Sequence, residues 1–173
     1  MPELMPPAIT VHESFVAAVR EFHTHPEPPP WFVASLNADG LSDPGAFNRY
    51  VTRLLDESLE STPRPEGFVP STTLWWIDGQ EFLGRLAIRH RLTPALEDAG
   101  GHIGYDVRPT ARNRGHATAM LRAALPVACR LGIDPVLLTC DDTNEFSRRA
   151  IERNGGRFIG RRGVKQRFLV PTR

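Results

Sequence analysis

The chain has little of what would tie it to a membrane, a metal or an oxidising compartment. It carries only two cysteines, Cys129 and Cys140, each among apolar neighbours, so two reduced core thiols are expected rather than a disulfide framework. No window is long and apolar enough for a membrane span, and no charged stretch followed by an apolar run opens the sequence as a leader would. Neither sign of charge is in excess, with 21 Lys and Arg against 20 Asp and Glu, so neither a nucleic-acid nor a membrane partner is expected. No glycine-rich loop ends in Gly-Lys-Ser/Thr, which speaks against a nucleotide kinase or phosphatase. His116 has no second ligand at fitting spacing, so no metal is expected. Internal repeats and low-complexity tails are also missing. What remains is a cytoplasmic enzyme or binding protein whose 173 residues suit one domain, residues 1–173.

Apolar periodicity supplies the elements. Phe15, Val16, Ala18, Val19 and Phe22 recur at helical spacing, and Pro26, Pro28, Pro29 and Pro30 then forbid helix. A second helix over residues 44–59 places Phe47, Tyr50, Val51, Leu54, Leu55 and Leu59 on one side. Two strand-like runs flank Asp78-Gly79, a hairpin signal because the central residues of such a turn need positive φ. In the second run Phe82, Gly84, Leu86 and Ile88 alternate with Leu83, Arg85, Ala87 and Arg89, which predicts one more apolar and one more polar face. Trp75 and Trp76 should face opposite sides, one in the core and one free to wall a pocket. A strand over 102–108, a helix over 114–131 kinked near Pro126, and a buried strand over 135–140 follow. Asp142 with Glu145 resembles a capping box, opening a helix that stops at Asn154-Gly155-Gly156, and two strands close the chain. The strand–helix–strand unit should pair in parallel and the other strands antiparallel, giving a mixed, largely antiparallel α/β sheet with helices on both faces.

The stretch 103–118, IGYDVRPTARNRGHAT, organises the rest. A strand runs through a Pro turn into a basic loop with Gly115 and Ala117, then into a helix. Backbone N–H groups of about residues 112–118 can converge there on an anion, and Gly115 lets the backbone come close.

Val107-Arg108-Pro109 followed by Arg112-x-x-Gly115-x-Ala117 resembles the acyl-coenzyme A signature of the GCN5-related N-acetyltransferases, the GNAT superfamily. Further on, Asp142-Thr143-Asn144-x-x-Ser147-Arg148 and Glu152-x-Asn154-Gly155-Gly156 resemble that family's second cofactor segment. The resemblance covers roughly residues 70–160 and implies a splayed parallel strand pair with the pantetheine arm in the gap. It implies acetyl-coenzyme A as co-substrate, with Arg112, Asn113, Arg114, Gly115, His116, Ala117 and Thr118 around the pyrophosphate and Asn144 and Ser147 near the arm. The Val107 N–H would polarise the thioester carbonyl. The helices within residues 11–59 and the loop 92–101 would shape the acceptor side. The C-terminal strands could pair across a homodimer.

Acid–base chemistry is less clearly written. The family's usual tyrosine, seven residues after the asparagine, is Ile151 here. His102 and Asp106 lie on one side of a regularly pleated strand and are the candidate acid–base groups, with His90 as an outsider and Tyr105 as packing. Cys140 has no activating base and is not expected to act as a nucleophile. The expected function is acetyl transfer to a small-molecule or peptide amine by direct attack in a ternary complex. The alternative is a module that holds acyl-coenzyme A without turnover.

Overall fold

The computed structural model describes residues 1–173. Strands β1 (Glu3–Met5), β2 (Ser71–Asp78), β3 (Glu81–Arg89) and β4 (Ile103–Val107) form one antiparallel sheet in that order. Strands β5 (Val136–Asp141), β6 (Arg157–Arg162) and β7 (Lys165–Val170) form a second antiparallel sheet with β7 in the middle. Helices α1 (His12–Thr24), α2 (Trp31–Ala34), α3 (Ala38–Leu41) and α4 (Pro44–Asp56) precede β2, and α5 (Pro94–Asp98) joins β3 to β4. The two long C-terminal helices are α6 (His116–Arg130), which runs on through Pro126, and α7 (Glu145–Arg153). No helix is long and apolar enough to cross a membrane.

The β2–β3 turn is Gly79-Gln80, with Asp78 already paired to Glu81, and only Gly79 takes positive φ, at +61°. The strict alternation expected along β3 is broken. Between Trp76 and Ile77 the register slips, and Leu83 becomes an extra residue on β3. Leu83 therefore joins Leu86 and Ile88 on one face, while Phe82 joins Trp75 and Ile77 on the other. Nor does β3 have a solvated polar face. Ala87 and Arg85 are both buried, because α1 to α4 cover that side.

The first sheet consequently lies between two apolar clusters. On one face Phe15 stacks on Trp75 at 4.7 Å, and Phe22, Phe47 and Leu54 pack around them. On the other, α6 contributes Met120, Leu121 and Ala124, α7 contributes Ile151, and β5 and β7 contribute Leu138 and Phe168. Each such fully buried side chain contributes about 1.5–3 kcal/mol over its exposed state. Both adjacent tryptophans are core residues, Trp75 at 0% and Trp76 at 6% exposure, so neither walls a pocket. The helix over 44–59 ends at Asp56, leaving Leu55 and Leu59 exposed rather than on its buried face. Its start is as read, since the Asp43 carboxylate accepts the Ala46 N–H at 2.8 Å. Both cysteines are free thiols.

Between β4 and β5 the parallel ladder expected from the strand–helix–strand order does not form, and the sheet divides there. The two strands meet only at their starts. The His102 N–H donates to the Leu137 carbonyl at 2.8 Å, and the Leu137 N–H donates back to His102 Nδ1 at 2.9 Å. Gly101, at φ +60°, lies so close that a Cβ there would fall well inside contact distance of the Leu137 carbonyl. Gly101→Ala should therefore force this junction apart. A loss of roughly 3 kcal/mol is expected from left-handed strain plus the clash, read as a lower midpoint in urea unfolding.

Candidate active site

Beyond that junction β4 and β5 diverge, and a cavity of about 1300 Å³ opens at the wide end. Val107 and Asp106 line it from β4, the loop before α6 supplies one wall, and the start of α7 supplies another.

The loop is built to present backbone donors. A single turn of 3-10 helix (Pro109–Ala111) ends β4, and there the Arg112 N–H is taken up by the Pro109 carbonyl at 3.2 Å. From residue 113 to residue 118 no backbone N–H makes a hydrogen bond within the protein. Asn113 and Gly115 have φ of +62° and +80°, and a Cβ at Gly115 would meet nothing within 4 Å. Unpaired N–H groups at the start of α6, open space at Gly115 and the positive end of a 15-residue helix make an anion cradle. Asn113, Gly115, His116, Ala117 and Thr118 all line the cavity. Arg114, which is exposed, does not. Arg112 is not a free charge either. Its Nε donates to the Val107 carbonyl at 3.2 Å and its Nη1 pairs with Glu27 at 2.8 Å. His116 accepts the Trp76 indole N–H at Nδ1, 3.1 Å away, which fixes its ring. No group of His, Cys, Asp and Glu is placed to hold a metal ion.

Ladder alternation fixes the direction of the Val107 N–H. The next residue, Arg108, donates its N–H to the Leu83 carbonyl on β3 at 2.8 Å, so the Val107 N–H points away from β3 and into the gap. On the far wall Asn144, not Asp142, caps α7. Its Oδ1 accepts the Ser147 N–H at 3.1 Å, while Asp142 pairs with Arg161, so the predicted capping box does not form. Asn144 Nδ2 keeps no partner and remains free to donate. Ser147 Oγ lies 2.7 Å from the hydroxyl of Tyr105, whose phenol burial pushes up to about 12. Tyr105 thus packs on the core, as expected, and also lines the cavity.

The two candidate acid–base groups part company. Asp106 lines the cavity, its carboxylate makes no hydrogen bond to the protein, and burial pushes it up to about 6 against the charges of Arg85 and Arg112. His102 lies at the closed end of the gap and does not line the cavity. Burial, with the Arg89 charge nearby, holds its imidazole below the usual range. Because Nδ1 already accepts from Leu137, the neutral ring carries its proton on Nε2 and has no lone pair to offer a substrate. His102 is a clasp between strands and not a base. His90, bonded to Thr72 at 2.8 Å, is outside the cavity as well. Ile151 is fully buried against Gly156, so its position is core and not cavity.

Several cavity residues carry no signal in the sequence. His25, Glu27, Pro28 and Pro30 form a roof from the proline-rich connection. The Glu27–Arg112 pair ties that roof to the loop. Behind the loop Glu21 of α1 grips Arg108 at 2.6 Å. Burial pushes the Glu21 carboxyl up, but hydrogen bonds from Arg108 and Thr110 outweigh this and leave it below the usual range. Asn154, at the end of α7, donates Nδ2 to the Thr118 carbonyl at 3.1 Å and so fixes the first turn of α6 against α7.

A model of the acetyltransferase (GNAT) domain matches residues 16–157. No curated protein matches the chain by sequence. Among solved structures, the Microcin C7 self-immunity acetyltransferase MccE, in complex with acetyl-CoA and AMP, superposes with a TM-score of 0.65 at 14% identity over 98% of this chain and 92% of that one. Mycobacterium smegmatis RimJ, in complex with CoA-disulfide, gives 0.65 at 18% identity over 98% and 80%. The PaiA N-acetyltransferase from Thermoplasma acidophilum, in complex with coenzyme A, gives 0.60 at 12% over 99% of each. At these identities the likeness speaks for the fold, an α/β architecture of antiparallel strands with helices on both faces. The domain match spans most of the chain, and the protein belongs to the GNAT family of acetyltransferases.

Proposed function

We propose that the chain transfers an acetyl group from acetyl-coenzyme A to a primary amine by direct attack in a ternary complex. One observation carries this reading: the unpaired N–H groups of Asn113 and of residues 115–118 open onto the same cavity as the Val107 N–H in the strand gap. A diphosphate and an extended arm need these two features side by side. The solved structures named above hold acetyl-CoA, CoA-disulfide or coenzyme A, which supports that donor.

The co-substrate supplies an acyl group already activated as a thioester, and the chain's own residues do the rest. Residues 113–118 bind the phosphates through their N–H groups, and Asn144 Nδ2 donates to the arm. The Val107 N–H hydrogen-bonds the thioester oxygen as negative charge gathers on it. Asp106 takes a proton from the acceptor nitrogen as the C–N bond forms. As the C–S bond breaks, the sulfur takes a proton from Ser147 Oγ while Tyr105 passes its phenolic proton to that oxygen, and water returns a proton to Tyr105 afterwards. That pair stands in for the acid that Ile151 cannot be.

The test is thiol release from acetyl-coenzyme A with a panel of small amines and peptides, beside calorimetry with coenzyme A. Binding with thiol release and an acetylated amine is the expected result. Binding without release across the panel would favour a holding module, and no binding would overturn the site altogether.

A further inference from the structure

Trp76 carries one polar group out of the apolar core. It lies mid-strand in β2 at 6% exposure, its backbone laddered to Leu4 of β1 on one side and to Gly84 of β3 on the other. Its side chain belongs to the cluster that α6 covers, yet its indole N–H donates to Nδ1 of His116 at 3.1 Å. The two rings stand edge to face, with centres 6.5 Å apart and planes at 64°. Burial alone does not force such a bond, because the buried indole N–H of the adjacent Trp75 has no partner.

An indole nitrogen can only donate, so Nδ1 of His116 must offer a lone pair and the neutral ring must carry its proton on Nε2. The Trp76 bond is the only one the ring makes, which leaves the Nε2–H without a partner in the protein. His116 opens α6, is half-buried, and lines the cavity beside Gly115, Ala117 and Thr118. Its backbone N–H is unpaired as well. One residue therefore brings two unused N–H groups to the cradle, and a core tryptophan decides which ring nitrogen carries the second.

We propose that His116 is a diphosphate-binding side chain, its Nε2–H donating to a phosphate oxygen of the co-substrate, and that Trp76 is its positioning residue, holding the ring in the tautomer that donates. This rests on the acetyltransferase reading and adds a side-chain contact to the backbone cradle. A hydrogen bond to a charged oxygen is stronger than one to a neutral oxygen. The opposite tautomer would present a lone pair to the anion and repel what the ring now binds.

The tautomer is read from two-bond proton–nitrogen NMR spectra of protein with isotope-labelled histidine. His116 should carry its proton on Nε2, with that resonance moved by coenzyme A and left in place by pantetheine, which lacks the phosphates. A proton on Nδ1, or a resonance that coenzyme A does not move, would overturn the inference. His116→Phe keeps a ring and loses both nitrogens, so Kd for coenzyme A by calorimetry should rise at least about tenfold, the scale of one hydrogen bond to a charged group. His116→Gln, which keeps an acceptor and a donor, should recover part of that loss. Trp76→Phe should raise Kd too, and its His116 spectrum should show both tautomers. Unchanged affinity in His116→Phe overturns the contact, and a pure Nε2–H tautomer in Trp76→Phe overturns the positioning role. If Trp76→Phe does not fold, the wild-type spectrum and His116→Phe decide. If the wild type does not bind coenzyme A, the acetyltransferase reading fails, and the spectrum with inorganic pyrophosphate decides here. A moved Nε2–H then supports the pair, and an unmoved one overturns it.

Discussion

Gly115→Glu is expected to remove coenzyme A binding while leaving the fold in place. A Cβ at Gly115 would meet nothing within 4 Å, and the residue caps the exposed start of α6, so a side chain can leave toward open space. The backbone cost is that of a left-handed residue at φ +80°, roughly 1–2 kcal/mol. The effect on the ligand is far larger. A carboxylate would stand among N–H groups aimed at two phosphates, and each like-charge contact at about 5 Å costs on the order of 3 kcal/mol at an effective dielectric near 20. Affinity by calorimetry should fall by at least about 10³-fold on that scale. Gly115→Ala carries the same strain without the charge and separates the two causes. Unchanged affinity in Gly115→Glu would place the phosphates elsewhere.

Asp106→Asn should cost about 10²–10⁴-fold in turnover at saturating acetyl-coenzyme A, the range for a lost general base. In the wild type the ionised carboxylate is the active form, so kcat/KM should rise as pH passes through about 6, and that limb should vanish in the variant. Stability runs the other way. The folded-state carboxyl lies above its unfolded value, so the folded protein holds that proton more tightly and loses stability as pH rises through about 6. At pH 8 the asparagine variant should accordingly be the more stable protein, by an amount on the order of 2 kcal/mol, measurable in urea. A variant that is inactive and also less stable at pH 8 would mark Asp106 as structural.

The loop and helix start that wall the cavity were legible because their signals are local. A glycine in the left-handed region, a small residue two positions on and a helix start are neighbours in sequence, whereas the cap of α7, read as Asp142, falls on Asn144. What failed to show depends on groups far apart in the chain. His102 and Asp106 look alike as polar residues on one side of a strand, and only the Leu137 N–H, supplied by a strand 35 residues away, tells clasp from base. The Leu83 bulge was hidden because a one-residue slip leaves composition and average periodicity untouched. Arg85 read as one polar member of an alternating strand until four helices were seen to cover that face. The roof from Glu27 to Pro30 had no periodicity to betray it, since its place is set by the Arg112 ion pair.

The sheet that separates the two apolar clusters also separates two evolutionary problems. Residues such as Val19 and Leu54 touch one cluster, and Ala124 and Phe168 touch the other, with no shared partners across the strands. Substitutions on the two sides should then sum in free energy rather than interact.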